Sequence, residues 1–258
     1  MTRIFITGDT HIPYDISKLN SKNFPEGKKL TKDDYVIILG DFGLLWNYKE
    51  TGVCVESNPI DNHWSKDEIY WKKWLEEKPW TTLFIDGNHE NYDRLNTYPI
   101  TENWNGGKVQ KISDSIIHLM RGEVYTINDM KFLTFGGATS TDRGTFMGEE
   151  QAKLDIHKYW WPEELPTQYE IDNAINNLQK VDFKVDYILT HTLPNNLLMS
   201  LYFYDFDRLT SFLWNIYDMT KFKTWFCGHF HDDRQVNYKT QVLYNTIIEL
   251  TEVHNENR

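Results

Sequence analysis

The chain has 258 residues, 40% of them apolar and 15% aromatic. That is enough for a large core, and the length allows one or two domains. The formal net charge of −11 argues against broad, sequence-independent nucleic-acid binding, which needs a basic face. No apolar run reaches the roughly 18 residues of a membrane span. The chain opens without a charged n-region and apolar h-region, so no signal peptide is expected.

The first predicted strand, Arg3 to Thr7, runs into Gly8-Asp9-Thr10-His11. A second, Tyr35 to Leu39, runs into Gly40-Asp41-Phe42-Gly43. Asn62 to Lys78 is predicted as a helix, with Ile69, Trp71, Trp74 and Leu75 as its apolar stripe. Pro79 stops it, and the strand Thr81 to Ile85 leads to Gly87-Asn88-His89-Glu90. Ser115 to Ile127 and Met130 to Phe135 are predicted strands, and Asn128-Asp129 between them predicts a hairpin. Thr167-Gln168-Tyr169-Glu170 matches a capping box, followed by Ile171, Ala174, Ile175 and Leu178 at helical spacing. Val185 to Leu189 is a strand before Thr190-His191. Asp205 to Tyr217 is predicted as a helix with Phe206, Leu209, Leu213 and Ile216 inward. The strand Thr224 to Cys227 precedes Gly228-His229-Phe230-His231, and Gln241 to Leu250 is the final predicted strand.

No linker rich in Pro, Gly or Ser divides the chain, and motifs from both ends are needed for one site. Residues 1–258 are therefore expected to form a single domain. The alternation of strands and helices predicts an α/β protein with mixed sheets. Ligands in such sheets collect at the carboxyl ends of strands, so Asp, Asn and His at five strand ends converge on one patch. Mixed carboxylate, amide and imidazole donors suit Mn, Fe, Zn or Co better than Ca or a thiolate zinc site. His229 and His231 lie two apart and would point to opposite faces of a regular strand. The pair therefore predicts a loop just past the strand end, with a bend that Gly228 permits. Cys54 and Cys227 are the only cysteines; this suits a reducing, cytoplasmic compartment, with Cys227 a small buried apolar side chain.

Taken in order, D-x-H, a short G-D element, G-N-H-E, an isolated His and G-H-x-H resemble the calcineurin-like metallophosphoesterase superfamily over residues 8–231. Gly136 to Arg143 and Trp160 to Glu164 resemble its bacterial and phage-type subgroup. The resemblance implies a four-layer αββα sandwich of two mixed β-sheets flanked by helices. It implies two divalent metal ions (Mn, Fe, Zn or Ni). Asp9, His11, Asp41 and His231 would hold the first, and Asp41, Asn88, His191 and His229 the second, with Asp41 as the bridge. The implied reaction is hydrolysis of phosphodiester or phosphomonoester bonds, nucleotide-like esters included, by a metal-bridging hydroxide. His89 would act as proton donor to the leaving group.

One departure concerns substrate. Ser/Thr protein phosphatases resemble this pattern but carry, in the second motif, an Asp that orients the catalytic histidine and then an Arg that holds phosphate. Leu44 stands at the place of that Asp, and no Arg follows. This counts against a protein phosphatase, despite Glu90. A non-catalytic metal-binding scaffold would have no need of His89. A diester carries less charge than a monoester and depends less on extra cations, so diester hydrolysis is expected to be at least comparable. Arg121 and Arg143 are candidate phosphate contacts, with a structural role weighted above the functional one. Packing outweighs base stacking for Trp46, Trp64, Trp160 and Trp161. His63, His118, His157 and His254 lie outside the motifs and are expected to be structural or exposed. Asp232-Asp233 is expected to be a solvated turn.

Overall fold

The computed structural model describes residues 2–46, 64–143 and 148–250. In chain order its elements are β1 (Ile4–Thr7), β2 (Tyr35–Leu39), α1 (Lys66–Glu76), β3 (Thr81–Ile85), α2 (Tyr92–Leu95), β4 (Ile100–Trp104), β5 (Gly107–Ser113), β6 (Ile116–Leu119), β7 (Val124–Ile127), β8 (Met130–Phe135), α3 (Glu149–Asp155), α4 (Gln168–Lys180), β9 (Tyr187–Thr190), α5 (Asn195–Ser200), α6 (Arg208–Met219), β10 (Thr224–Cys227), β11 (Arg234–Asn237), β12 (Thr240–Val242) and β13 (Ile248–Leu250).

The strands form two mixed sheets, one of seven in the order β13-β1-β2-β3-β6-β5-β4 and one of six in the order β11-β12-β10-β9-β8-β7. β1, β2, β3 and β6 are parallel, as are β8, β9, β10 and β12. β1 and β3 are buried along their whole length, which is why they read as continuous β-branched and aromatic runs instead of alternating ones. Ile6, Ile37, Leu83 and Ile85 of the first sheet share one apolar core with Phe132, Tyr187, Leu189 and Phe226 of the second. The outer face of the first sheet, through Phe5, Val36, Ile38 and Phe84, packs on Leu75, Trp71 and Trp74 of α1. The outer face of the second, through Leu133, Ile188 and Trp225, packs on Ala174 and Leu178 of α4 and Leu209, Leu213 and Ile216 of α6. The result is the four-layer αββα arrangement.

β2, β3 and β10 occupy their predicted spans. The Asn128–Asp129 hairpin also forms: both residues have positive φ, 50° and 60°, and Ile127 pairs with Met130, as a two-residue primed turn requires. Two long predicted strands are each two strands in different sheets. Ser115 to Ile127 breaks at Gly122 (φ 75°) into β6 of the first sheet and β7 of the second. Gln241 to Leu250 divides into β12 of the second sheet and β13 of the first. Apolar runs of this kind cross the core between sheets, and periodicity does not mark the crossing. The β4–β5 hairpin was not expected, although Asn105-Gly106 (φ 50° and 94°) signals it.

The helices differ at their edges. α1 starts after Ser65, which caps it through the Glu68 amide at 3.1 Å, while Glu68 returns to the Ser65 amide at 2.8 Å. Residues 62 and 63 of the predicted helix lie outside the described residues. Ile69 is exposed, because it lies two positions from Trp71, about 160° around the helix. Phe206 is also exposed; it precedes the Asp207 cap, whose carboxylate accepts from the Thr210 amide at 2.7 Å. The Thr167 capping box on α4 forms as read. Among the described residues no helix is long and apolar enough to cross a membrane.

Candidate metal centre at the strand ends

Asp9 and His11 follow β1, Asp41 follows β2, Asn88 and His89 follow β3, His191 follows β9, and His229 and His231 follow β10. These strands are parallel within their sheets, so their carboxyl ends gather at one edge of the sandwich. Asp9, His11, Asp41 and His231 each place a donor atom within 4.8 Å of the others, and so do Asp41, His191 and His229. Asp41 belongs to both groups. Asn88 joins the second, with Oδ1 3.1 Å from His191 Nε2.

Backbone conformation brings these side chains inward. His11, Asp41, His229 and His231 have φ of 34°, 44°, 70° and 49°, in a left-handed region that costs a non-glycine residue about 1–3 kcal/mol. Two such residues just past β10 let His229 and His231 face one site despite their spacing. Glycine is required where the turns touch. A Cβ on Gly87 would lie 2.1 Å from Asp41 Oδ1, and one on Gly40 (φ 90°) would lie 2.2 Å from His191 Nδ1.

Partners behind the rings fix which nitrogen faces the site. His191 Nδ1 is 2.7 Å from the Leu39 carbonyl oxygen and must donate to it, so Nε2 points at Asp41 Oδ1, 3.2 Å away. His11 Nδ1 is 2.7 Å from Asp15 Oδ2, leaving Nε2 3.2 Å from Asp41 Oδ2. A carboxylate or carbonyl behind a histidine is the usual way to set the tautomer of a metal ligand. His229 N–H donates to both Asp9 oxygens at 3.0 and 3.1 Å, and His89 N–H donates to Asp41 Oδ1 at 2.7 Å. Burial alone would strip His191 of its proton, but Asp41 and Asp9 raise its pKa to about 10. His229, with its ring 5.0 Å away, is pushed down to about 4 by burial and by His191. Burial would raise the Asp41 carboxyl, yet His191 and His11 hold it well below the usual range. The buried carboxylates thus demand positive charge, and the donor set of two carboxylates, four imidazoles and an amide suits a borderline divalent ion.

A cleft of about 450 Å3 opens beside the first group, lined by His11, His89 and His231 together with Ile12, Tyr14 and Trp46. The His89 ring sits edge-on to Trp46 at 5.8 Å and to His11 at 5.7 Å. Among the described residues no carboxylate hydrogen-bonds this ring, and Leu44 is wholly buried. Glu90 links the third motif to the second, accepting from the Phe42 amide at 2.7 Å; burial pushes its pKa up to about 8.

Both candidate arginine contacts are committed elsewhere. Arg121 is buried on Asp86, with Nε 2.7 Å from Oδ2. Arg143 holds Glu164 at 3.1 Å and the Trp161 carbonyl at 3.0 Å. Trp161 is buried and donates to Asp93, Trp160 donates to the Ala152 carbonyl, and Trp64 packs on the outer core; Trp46 lines the cleft. His118 is buried against Asp86 and His157 pairs with Asp93, while His63, His254 and Cys54 lie outside the described residues. Cys227 is a buried free thiol.

Sequence reading missed several supports. Buried Lys18 donates to the Asp9 carbonyl at 2.5 Å and to those of Gly8 and Tyr244; burial lowers its pKa to about 8. No local pattern marks it. Asp15 was findable, four residues after His11. Asp233 is no idle turn residue, since its carboxylate accepts from the amides of Tyr244, Asn245 and Thr246. The loop it holds stacks Tyr244 on His231 at 4.9 Å.

A family model described as calcineurin-like phosphoesterase matches residues 2–233. Comparison with curated proteins finds no match.

Proposed function

The chain belongs to the calcineurin-like phosphoesterase family, and from that premise we propose a hydrolase with a dinuclear metal centre that acts on phosphodiesters at least as well as on phosphomonoesters. The observation that carries this reading is Asp41, a buried carboxylate common to both donor groups. Asp9, His11, Asp41 and His231 would hold one ion, and Asp41, Asn88, His191 and His229 the other, with Mn, Fe, Zn and Ni all compatible with the donors. When bound, such ions supply Lewis acidity toward the phosphoryl group and activate water. Motifs from both ends of the chain supply the one site, so residues 1–258 are read as a single domain.

The protein side chains divide the remaining work. Asp41 carries the shared negative charge. Leu39 and Asp15, behind His191 and His11, keep Nε2 of each ring toward the site. His89 is the one motif histidine outside both donor groups, and it lines the cleft. It is placed to give a proton to the departing oxygen.

Charge supports this ranking of substrates. Among the described residues every arginine is engaged: Arg3 by Glu249, Arg94 by Glu68, Arg121 by Asp86, Arg143 by Glu164, Arg208 by Gln168 and Arg234 by Asp232. Among the described residues the cleft lining holds no arginine or lysine, and it includes Asp15. A phosphomonoester carries about −1.5 to −2 at neutral pH, against one charge on a diester, so more of its charge is left without a side-chain cation here. The test compares kcat/KM for a bis-aryl phosphate, an aryl phosphate and a phosphoserine peptide, each with Mn, Fe, Zn, Ni and Mg. The diester should be hydrolysed at least as well as the monoester, and the peptide poorly. Preference for the peptide would make the protein a Ser/Thr phosphatase, and two bound ions with no hydrolysis would make it a scaffold. His89→Ala should keep its metal and lose about 10²–10⁴-fold in kcat.

A further inference from the structure

Behind the turn that carries Asn88 and His89 lies a buried polar network centred on Asp86, the residue between β3 and Gly87. Its carboxylate accepts from Arg121 through Nε at 2.7 Å and through Nη2, from His118 Nε2 at 3.1 Å, and lies 2.9 Å from the Tyr92 hydroxyl. The Asp86 backbone is held as well, its carbonyl accepting from the Gly137 amide across the sandwich at 2.9 Å. Tyr92 has one hydroxyl proton, and its shortest contact is to the Gly87 carbonyl at 2.6 Å, while Arg121 Nη2 donates to the same hydroxyl at 2.7 Å. The turn is thereby pinned at three successive points. Asp86 is held by Arg121, Gly87 is held by Tyr92, and His89 N–H is held by Asp41.

A buried ion pair is weak evidence for stability, because apolar residues of similar volume often do as well or better. Its position is more informative. The His89 ring has no hydrogen-bonding carboxylate among the described residues, so the placement of its backbone decides where the ring points. We propose that Tyr92, Asp86 and Arg121 are positioning residues for His89, acting through the Gly87 carbonyl, in a site where Leu44 cannot orient the ring. This rests on the reading of His89 as proton donor to the leaving group.

Tyr92→Phe is the mildest probe, since it keeps the buried ring and removes only the hydroxyl that tethers Gly87 and accepts from Arg121. Arg121→Lys keeps the charge but loses the planar fork. A misplaced proton donor hurts poor leaving groups most. On phosphodiesters with graded leaving groups, Tyr92→Phe should lose about fivefold in kcat for alkyl groups, the scale of one hydrogen bond. For 4-nitrophenyl it should lose little, with KM unchanged, and Arg121→Lys should move the same way. Amide hydrogen exchange on metal-loaded Tyr92→Phe should be faster at Asn88 and His89 but unchanged in β3. Equal loss across all leaving groups would mean a merely structural role and overturn the proposal. Unchanged exchange at Asn88 and His89 would overturn it whatever the activity. If His89→Ala itself left the leaving-group dependence flat, the proton-donor reading would fail instead, and the exchange measurement would still judge the tether.

Discussion

Replacing Asp41 by Asn removes one negative charge at nearly constant size. In the native arrangement Oδ1 accepts the His89 amide at 2.7 Å and lies 3.2 Å from His191 Nε2, while Oδ2 lies 3.2 Å from His11 Nε2. An Asn side chain can keep the His89 bond through its oxygen, but its NH2 then faces His11 where a carboxylate oxygen had been. A unit charge pair at 4 Å is worth about 4 kcal/mol at an effective dielectric of 20, or about three orders of magnitude in affinity per ion. Asp9→Asn makes the comparison, because Asp9 belongs to the first group alone. Titration calorimetry with Mn, checked by elemental analysis, should show Asp41→Asn weakened at both ions and Asp9→Asn weakened chiefly at one. Binding of two ions by Asp41→Asn with affinity within about tenfold of wild type would refute a shared carboxylate, as would loss of only one ion.

Gly87→Ala should abolish tight metal binding and lower stability, since its Cβ would meet Asp41 Oδ1 at 2.1 Å; metal titration and thermal melting check this. Chelator should lower the melting temperature of loaded protein, because ligand at about 100 times its Kd adds about 2.7 kcal/mol; the shift should vanish in Asp41→Asn. Burial would raise the Asp34 carboxyl, but the Arg3 and Thr31 amides, each 2.7 Å away, lower it. A carboxylate lowered on folding stabilises above its unfolded pKa and stops doing so as pH falls through the folded value. In denaturant titrations Asp34→Ala should therefore cost about 1–3 kcal/mol at pH 7, with the difference shrinking below about pH 4.

Much of this protein was legible locally. Strands ending in Gly-Asp, Gly-Asn-His or His are patterns a few residues long, set by β-branched composition and by turns that need glycine. β2, β3 and β10, the Asn128–Asp129 hairpin and the Thr167 cap are decided over such distances, and Asn105-Gly106 was equally readable. Other features depended on partners far along the chain. Whether Ser115 to Ile127 stays in one sheet depends on the core it crosses, and its apolar pattern is the same either way. Arg121 stays a candidate phosphate contact in the sequence until Asp86, 35 residues earlier, consumes it. Lys18 reads as a surface lysine until the Tyr244 carbonyl, 226 residues later, closes over it. Local sequence determines which residues stand at a strand end, because backbone preference and turn chemistry act between near neighbours. Which charges remain available to a ligand is decided by tertiary structure, because pairing and desolvation act between groups that only folding brings together.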